Sequence, residues 1–311
     1  MSNYINPFGG SEGCYKGNLH SHSTLSDGQF TVAELIKLYG EQDYEILALT
    51  DHNKAHNLSD YNPGKICLIN GVEVNFEKGQ GHMMHLLGLN VNDNFAIGLG
   101  MAASTYVQAI KNAGGEIVLA HPVWYKVQIH DIARFADDII AFEIYNTGAR
   151  GRGKPSSGSI WEPMLELNSN CTAIAADDIH GASALFGGWT MICAEEKSPE
   201  AIINAIKNGK TYSSTGPEFY KLDFDGKILR GECSEVEEII CISNKHGTCG
   251  CKLFQGMNAK VLNGRYIAGE KLSWTSFETI ELPENCYFRV QIKDKNGNYA
   301  WSNPFWRAKN A

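Results

Sequence analysis

The chain has 311 residues, enough for one large domain or two, each with a sizeable core. Its 43% hydrophobic and 20% charged residues, free of low-complexity runs, are those of an ordinary globular protein. A net charge of −8 speaks against nucleic acid as the main partner, which calls for a basic surface, yet leaves room for a small anionic substrate if bound cations supply a local positive field. The opening Met1-Ser-Asn-Tyr-Ile-Asn-Pro7 has neither the basic nor the apolar stretch of a signal peptide. No apolar run approaches the ~20 residues of a membrane helix. Nine scattered cysteines, an odd number, suit reduced thiols, so a cytoplasmic protein without membrane contact is expected. Cys249-Gly-Cys251 reads as a β-turn, since no second pair completes a zinc site.

From residue 16 to about 180, short apolar runs end in a histidine or an acid. In chain order they are Tyr15–Leu19 into His20, Ile46–Thr50 into Asp51-His52, and Cys67–Val72 into Glu73. Met83-Met84 leads into His85, Ile117–Ala120 into His121, Ile139–Phe142 into Glu143, and Thr172–Ala176 into Asp177-Asp178-Ile-His180. These seven strand-like runs are apolar almost throughout, the mark of a parallel sheet covered on both faces. Between them, Val32, Leu35, Ile36 and Tyr39 recur at helical spacing, with Thr31 as N-cap and Gly40 as stop. Residues 101–113 and 160–168 read as helices, and Ser198-Pro199-Glu200 opens another with Ile202, Ile203 and Ile206 on one face. The expected fold class is α/β, a barrel or doubly wound sheet with polar groups at the carboxyl ends of its strands. After Gly216-Pro217 the pattern becomes period two, as in Phe288-Arg-Val-Gln-Ile292. Asp225-Gly226, Asn263-Gly264 and Asn296-Gly297 mark turns, so residues 217–311 read as a small all-β sandwich without helices.

His20-Ser-His22 places two imidazoles on one side of an extended backbone, within reach of one ion. Alone the pattern is weak. Six of the ten histidines (20, 22, 52, 85, 121 and 180) fall at or within predicted strands, and that set points to a metal cluster. Mixed imidazole and carboxylate without thiolate suits zinc, manganese or iron rather than calcium or magnesium alone. The donors outnumber what one ion uses, so two or three divalent ions are expected, with Glu73 able to bridge two of them.

The stretches Asn18–Gly28 and Ala48-Leu-Thr-Asp-His-Asn53 closely resemble the first two motifs of the PHP (polymerase and histidinol phosphatase) metallohydrolases. Gly71-Val-Glu-Val74, His85-Leu-Leu-Gly88, Ala120-His-Pro122 and Asp178-Ile-His180 are similar to the later motifs, in the same order. The resemblance covers about residues 16–216. It implies a distorted seven-stranded (β/α)7 barrel, placed at residues 1–216. It also implies a first ion on His20, His22, Glu73 and Asp178, a second on Glu73, His85 and His121, and a third on Asp27, His52 and His180. Asp27 enters through the resemblance alone; by itself Ser26-Asp27-Gly28 reads as a turn. Phe142–Asn146, Tyr212–Pro217 and Ala300–Pro304 resemble the CehA/McbA-like branch, which cleaves carbamates and esters.

His82 competes with His85 as the ligand from Gly81–His85; His85 fits the family pattern, and His82 is left to substrate. Gly148–Lys154 lacks the spacing of a P-loop but carries Arg150, Arg152 and Lys154, which suit either a flap over an anion or a plain surface loop. Lys126 is a further substrate-binding candidate, and Trp124, Tyr125 and Trp189 are candidate pocket walls. The expectation is therefore hydrolysis by a metal-bridging hydroxide at Glu73, without a covalent enzyme intermediate, on a small anionic substrate. A phosphate ester is the default, a carboxyl ester, carbamate or amide the alternative, and a non-catalytic metal-held scaffold the rival from another class. No Gly-x-Ser-x-Gly elbow supports a serine hydrolase.

Overall fold

The computed structural model describes residues 13–77, 83–226, 228–244 and 286–306, together with the backbone of 265–267 and 271–275. The chain divides into two compact units, one running Gly13–Asn208 and the other from Gly209 onward.

The first unit is built on eight strands: β1 (Gly13–Asn18), β2 (Ile46–Leu49), β3 (Cys67–Glu77), β4 (Met83–Leu89), β5 (Glu116–Leu119), β6 (Ile139–Asn146), β7 (Thr172–Ala176) and β8 (Trp189–Ala194). They are ordered β8-β1-β2-β3-β4-β5-β6-β7. The pairs β1/β2, β2/β3, β5/β6 and β6/β7 are parallel, as the apolar runs imply, while β3/β4, β4/β5 and β1/β8 are antiparallel. The connection from Glu77 to Met83 is too short for a crossover, so β4 turns back along β3. Sequence pattern alone misses β8, which lies beyond the last acid-terminated run. Glu73 also sits inside its strand rather than at its end, because β3 runs on to Glu77, while His85 lies within β4 as expected.

The two outer strands of this sheet meet. Thr190 Oγ1 on β8 accepts from the Ala175 N–H (3.0 Å) and donates to the Ala175 carbonyl (2.9 Å) on β7. One face of every strand joins a single core (among others Leu19, Ile46, Ile69, Leu87, Val118, Ala141, Ile174 and Ile192), and α5 (Pro199–Lys207) packs Ile202, Ile203 and Ile206 onto it. α1 (Val32–Glu41) covers the opposite face of β2 with Val32, Leu35 and Tyr39. Its start is a capping box: Thr31 Oγ1 accepts from the Glu34 N–H, and Glu34 accepts from the Thr31 N–H. Such a cap contributes about 1 kcal/mol. Gly40 does not stop the helix, which runs one residue further and caps at Gln42. The remaining helices are α2 (Ala103–Asn112), the single-turn α3 (Ile129–Ile132) and α4 (Trp161–Leu167).

The expectation of reduced thiols fails at one place: Cys14 and Cys193 form a disulfide. They stand directly opposite each other on β1 and β8, with Cα atoms 4.0 Å apart. A separation of 179 residues gives no hint of this in the sequence; the antiparallel register brings the two together.

In the second unit the strands are β9 (Thr211–Ser214), β10 (Phe219–Phe224), β11 (Leu229–Cys233), β12 (Glu238–Ser243), β13 (Arg265–Ile267), β14 (Lys271–Thr275), β15 (Tyr287–Lys293), β16 (Tyr299–Ser302) and β17 (Phe305–Trp306). Within it, β12-β15-β16-β9 form one sheet, with β17 also on β15, and β10-β11-β14-β13 form another, all antiparallel. Phe224 of the second sheet packs edge-on against Phe288 of the first, ring centroids 4.8 Å apart. No helix occurs there among the described residues. Arg289 departs from the period-two pattern: it is buried, on a strand flanked by β12 and β16. The Cys249–Cys251 and Asn263-Gly264 turns lie outside the described residues. Among the described residues no helix is long and apolar enough to cross a membrane.

Candidate metal centre

The carboxyl ends of β1, β2, β5 and β7 and the middles of β3 and β4 converge. All nine residues expected to hold metal meet there. Glu73 is the centre, its side chain 1% exposed. Its Oε2 faces His20 Nε2 (3.4 Å), His22 Nε2 (3.2 Å) and His52 Nδ1 (3.3 Å). Its Oε1 faces His85 Nδ1 (2.7 Å) and His121 Nε2 (3.1 Å). Mid-strand placement is what allows this, since only an interior position has neighbours on both flanking strands.

Four donor atoms already define a cage: His20 Nε2, His22 Nε2, Glu73 Oε2 and Asp178 Oδ1. The two imidazoles are 3.0 Å apart, and each lies 3.3 Å from Asp178 Oδ1 and 3.2–3.4 Å from Glu73 Oε2. Metal–ligand bonds of ~2.0–2.1 Å in a tetrahedron place donors ~3.3 Å apart, close to these five separations, and His20, His22 and Glu73 form a group that could hold an ion. Asp178 Oδ1 is buried and accepts no hydrogen bond, as an oxygen reserved for a cation would be. Among the described residues no lysine or arginine pairs with Glu73, Asp178 or Glu143. Buried carboxylates without a cation are costly, and a divalent ion is the group this donor set fits.

Burial alone would push His20 toward the neutral form, but the charges of Asp178, Glu143 and Glu73 outweigh it and hold its pKa well above the ordinary value. His22 rises to about 9 against the same burial, because the carboxylates of Asp178 and Glu73 stand beside its ring. Glu73 and Asp178 sit well below the usual carboxylate range despite burial, each held there by the surrounding histidines.

The donors are fixed from behind. Glu143 accepts from His20 Nδ1–H (2.7 Å), the His121 N–H (2.8 Å) and Asn146 Nδ2 (2.7 Å), which leaves His20 Nε2 directed at the cage. A carboxylate so fully used is an orienting group rather than a ligand, although it lies close enough to His20 and His121 to count as one. Asp177 and Asp178, neighbours in sequence, face opposite ways. Asp177 accepts from Tyr39, Thr147 and the N–H groups of Phe186, Gly187 and Gly188, and so holds the chain around the site. His121 (φ 27°) and Asp178 (φ 51°) both occupy the left-handed region, a strain of about 1–3 kcal/mol each that is typical of functional sites.

The outer group is looser and wetter. Asp27 is 54% exposed, and its Oδ2 lies 3.6 Å from His52 Nε2 and 3.4 Å from His180 Nε2. His22 Nδ1 is also near, 3.6 Å from Asp27 Oδ1. A neutral imidazole has a single nitrogen lone pair, and His22 directs Nε2 into the inner cage, so Nδ1–H serves here as a donor. Asp27, His52 and His180 remain as the outer set.

The substrate candidates divide. Tyr125 lies 4.6 Å from His85 and Trp124 5.0 Å from His121, ring centroid to centroid, with the two rings parallel. Arg152 stands over Trp124 (5.6 Å), and Lys154 Nζ donates to the Trp124 carbonyl (3.4 Å). These four form a cationic, aromatic wall beside the His85/His121 side. Arg150 packs instead near Gly187 and Thr147, and Lys126 ends the turn after His121 in a left-handed conformation. Trp189 is no pocket wall; it packs against the α1 core with Lys16 over its ring. His82 lies outside the described residues. Sequence reasoning did not assign Asp51, Glu143 or Asn146 to the site. Glu143 had a signal, the acid that ends an apolar run, but nothing in the pattern distinguishes an orienting acid from a ligand.

A buried carboxylate set among imidazoles and acids is a donor set suited to divalent ions. Residues 18–148 match the family model of the PHP domain. The chain is 29% identical over 250 residues to a 5'-3' exoribonuclease of Haemophilus influenzae, covering 72% of this chain and 79% of that protein. Over 79 residues it is 35% identical to a 3',5'-nucleoside bisphosphate phosphatase of Chromobacterium violaceum, 24% of this chain and 27% of that one. The fold is shared with a two-domain protein of Bacteroides vulgatus that contains a predicted PHP-like metal-dependent phosphoesterase. That match has a TM-score of 0.52 and 14% identity, covering 97% of this chain and 99% of the other.

Proposed function

We propose that the chain hydrolyses a phosphate ester of a small molecule at the Glu73-centred cluster. The observation that carries this reading is Glu73 itself: one buried carboxylate offers one oxygen to His20 and His22 and the other to His85 and His121, the arrangement of a bridge between two ions. Both curated relatives carry names that denote phosphoester cleavage in nucleotides or RNA, which supports phosphate over carbonyl chemistry. We take residues 1–216 as a barrel-type hydrolase domain and 217–311 as a β-sandwich.

Divalent ions, when bound, supply a water ionised near neutral pH and a positive field for the ester oxygens. The protein does the rest. His20, His22, His85, His121, Glu73 and Asp178 would hold the inner ions, and Asp27, His52 and His180 an outer one. Glu143 holds His20 in the tautomer that leaves Nε2 free. Arg152 and Lys154, beside Trp124 and Tyr125, attract the anionic ester to the His85/His121 side.

The test is a panel assay of protein reloaded with zinc, manganese or iron. It comprises p-nitrophenyl phosphate, bis-p-nitrophenyl phosphate, a nucleoside 3',5'-bisphosphate, a short 5'-phosphorylated RNA and p-nitrophenyl acetate. Turnover of one or more phosphate esters well above the acetate is expected. Metal-replete protein that cleaves only the carboxyl ester, or nothing at all, overturns the reading.

A further inference from the structure

Asp51 precedes His52, one of the outer donors, yet its carboxylate does not face the cluster. Asp51 is fully buried, and five hydrogen bonds consume it. Oδ1 accepts from the Ser23 N–H (2.8 Å), the Ser26 N–H (3.1 Å) and the Ser26 hydroxyl (2.5 Å). Oδ2 accepts from the Ser23 hydroxyl (2.7 Å) and from His56 Nε2 (2.6 Å). Four of the five come from the segment between His22 and Asp27. The same segment closes on itself: the Ser26 and Gly28 N–H groups donate to the Ser23 carbonyl at 3.2 and 3.0 Å. It also folds back so tightly that a Cβ at Gly28 would stand 2.1 Å from the His22 carbonyl oxygen.

Behind Asp51 the anchoring continues. With Nε2–H given to the acid, His56 Nδ1 accepts from the Tyr61 hydroxyl (2.8 Å). The backbone of His56 is tied in both directions to the Asn70 side chain on β3, the strand that carries Glu73 (3.0 and 2.8 Å). Asp27 itself has no such support. It is half exposed, takes one hydroxyl contact from Ser26 (3.2 Å), and otherwise faces histidines. A carboxylate in that position keeps many rotamers open unless its backbone is fixed, and ordering it would tax ion binding.

We propose that Asp51 is the positioning residue of the outer ion site: it is not a ligand, and it holds the Ser23–Asp27 loop so that Asp27 meets His52 and His180. This rests on the outer donor set being a third ion site. Of the inner donors, Glu73 lies on β3 while His20 and Asp178 follow the ends of β1 and β7; only His22 adjoins the loop, its Nδ1 3.4 Å from Ser26 Oγ, so the effect falls chiefly on one ion.

The experiment counts ions. Metal-free protein is reloaded with Zn(II) alone, dialysed, and its zinc per chain measured with parallel titrations in a zinc-responsive dye. Wild type is expected to hold three, and Asp27→Asn two, because a ligand is lost. Asp51→Asn should also hold two, since an amide N–H would confront the Ser23 and Ser26 donors and release the loop, while the two tighter ions keep their affinity. Should Asp51→Asn fail to fold by circular dichroism, the Ser23→Ala/Ser26→Ala pair keeps the acid paired with His56 and removes two of the loop's four bonds. Its outer affinity should fall by about 10- to 100-fold, with the inner sites unchanged. Three ions at wild-type affinity in Asp51→Asn, or an unchanged outer affinity in the serine pair, overturns the positioning role. Loss of every ion from folded Asp51→Asn also overturns it, by showing a general rather than a local effect. Wild type and Asp27→Asn both holding two ions is a distinct result: it removes the outer site itself.

Discussion

The inner cage and the outer rim of this metal centre use the same side-chain types and differ in almost everything else. The inner donors, His20, His22, Glu73 and Asp178, are at most 3% exposed and sit on or beside strands of one sheet. Their protonation is far from ordinary because burial forces each charge to find a partner within a few ångströms. The outer rim has Asp27 at 54% and His180 at 40% exposure, with donors spread to 3.4–3.6 Å. Water can satisfy those groups without an ion, so the rim depends on a loop and the loop on its anchor. Burial is thus what makes a donor set a preformed site; residue type alone does not.

The largest expected effect lies at the centre of the cage. Glu73→Gln removes the one negative charge shared by both sides and leaves His20 and His121 facing an amide. Zinc content should fall by both inner ions and kcat/KM by on the order of 10³ or more, measured by elemental analysis and initial rates. Retention of inner metal in this variant, with the outer ion lost, would invert the comparison.

Glu143→Gln tests whether the cage is rigid because of what stands behind it. The donor count is unchanged, but the charge that fixes His20 Nδ1–H is gone. Inner zinc affinity should drop about 10- to 100-fold in competition with a chelator, while the outer ion is unaffected. An equal loss at both sites would mean that Glu143 supports the fold rather than the cage.

The smallest effect belongs to a carboxylate outside the centre. Glu116 is held below the usual range, against its partial burial, by Lys111 and Lys207, the latter 2.7 Å away. A folded pKa lower than the unfolded one stabilises the protein above the unfolded value, and the contribution is lost as pH falls through the folded value. Lys207→Met should therefore cost less than about 1 kcal/mol in urea melts at pH 7, with the deficit shrinking toward pH 3. A deficit that stays constant with pH would trace to packing of the lysine stem instead.

Much of the first unit is legible in the sequence because its signals are local. Thr31 with Glu34, and Ser198 with Pro199, mark helix starts within a single turn. Apolar runs that stop at His20, His52, His121 and Asp178 mark strands whose ends carry chemistry. The antiparallel turn of β4, the strand β8 and the Cys14–Cys193 disulfide escape such reading, since each depends on pairing between distant segments. Gly40 misleads for a related reason: a glycine ends a helix only where the chain needs to leave it, and here packing of Tyr39 carries the helix past.

What the sequence by itself determined is the chemistry available, an excess of imidazole and carboxylate at strand ends with no thiolate among them, a donor set suited to divalent ions. Only the tertiary structure decided which acid does what. Asp177 and Asp178 are adjacent and identical, yet one knits loops and the other faces the cage. Asp51 and Glu143 resemble ligands in the chain and act as an anchor and an orienting group in space. The physical reason is that a carboxylate's role is set by which donors surround it. In this fold those donors come from strands and loops that sequence spacing does not bring together.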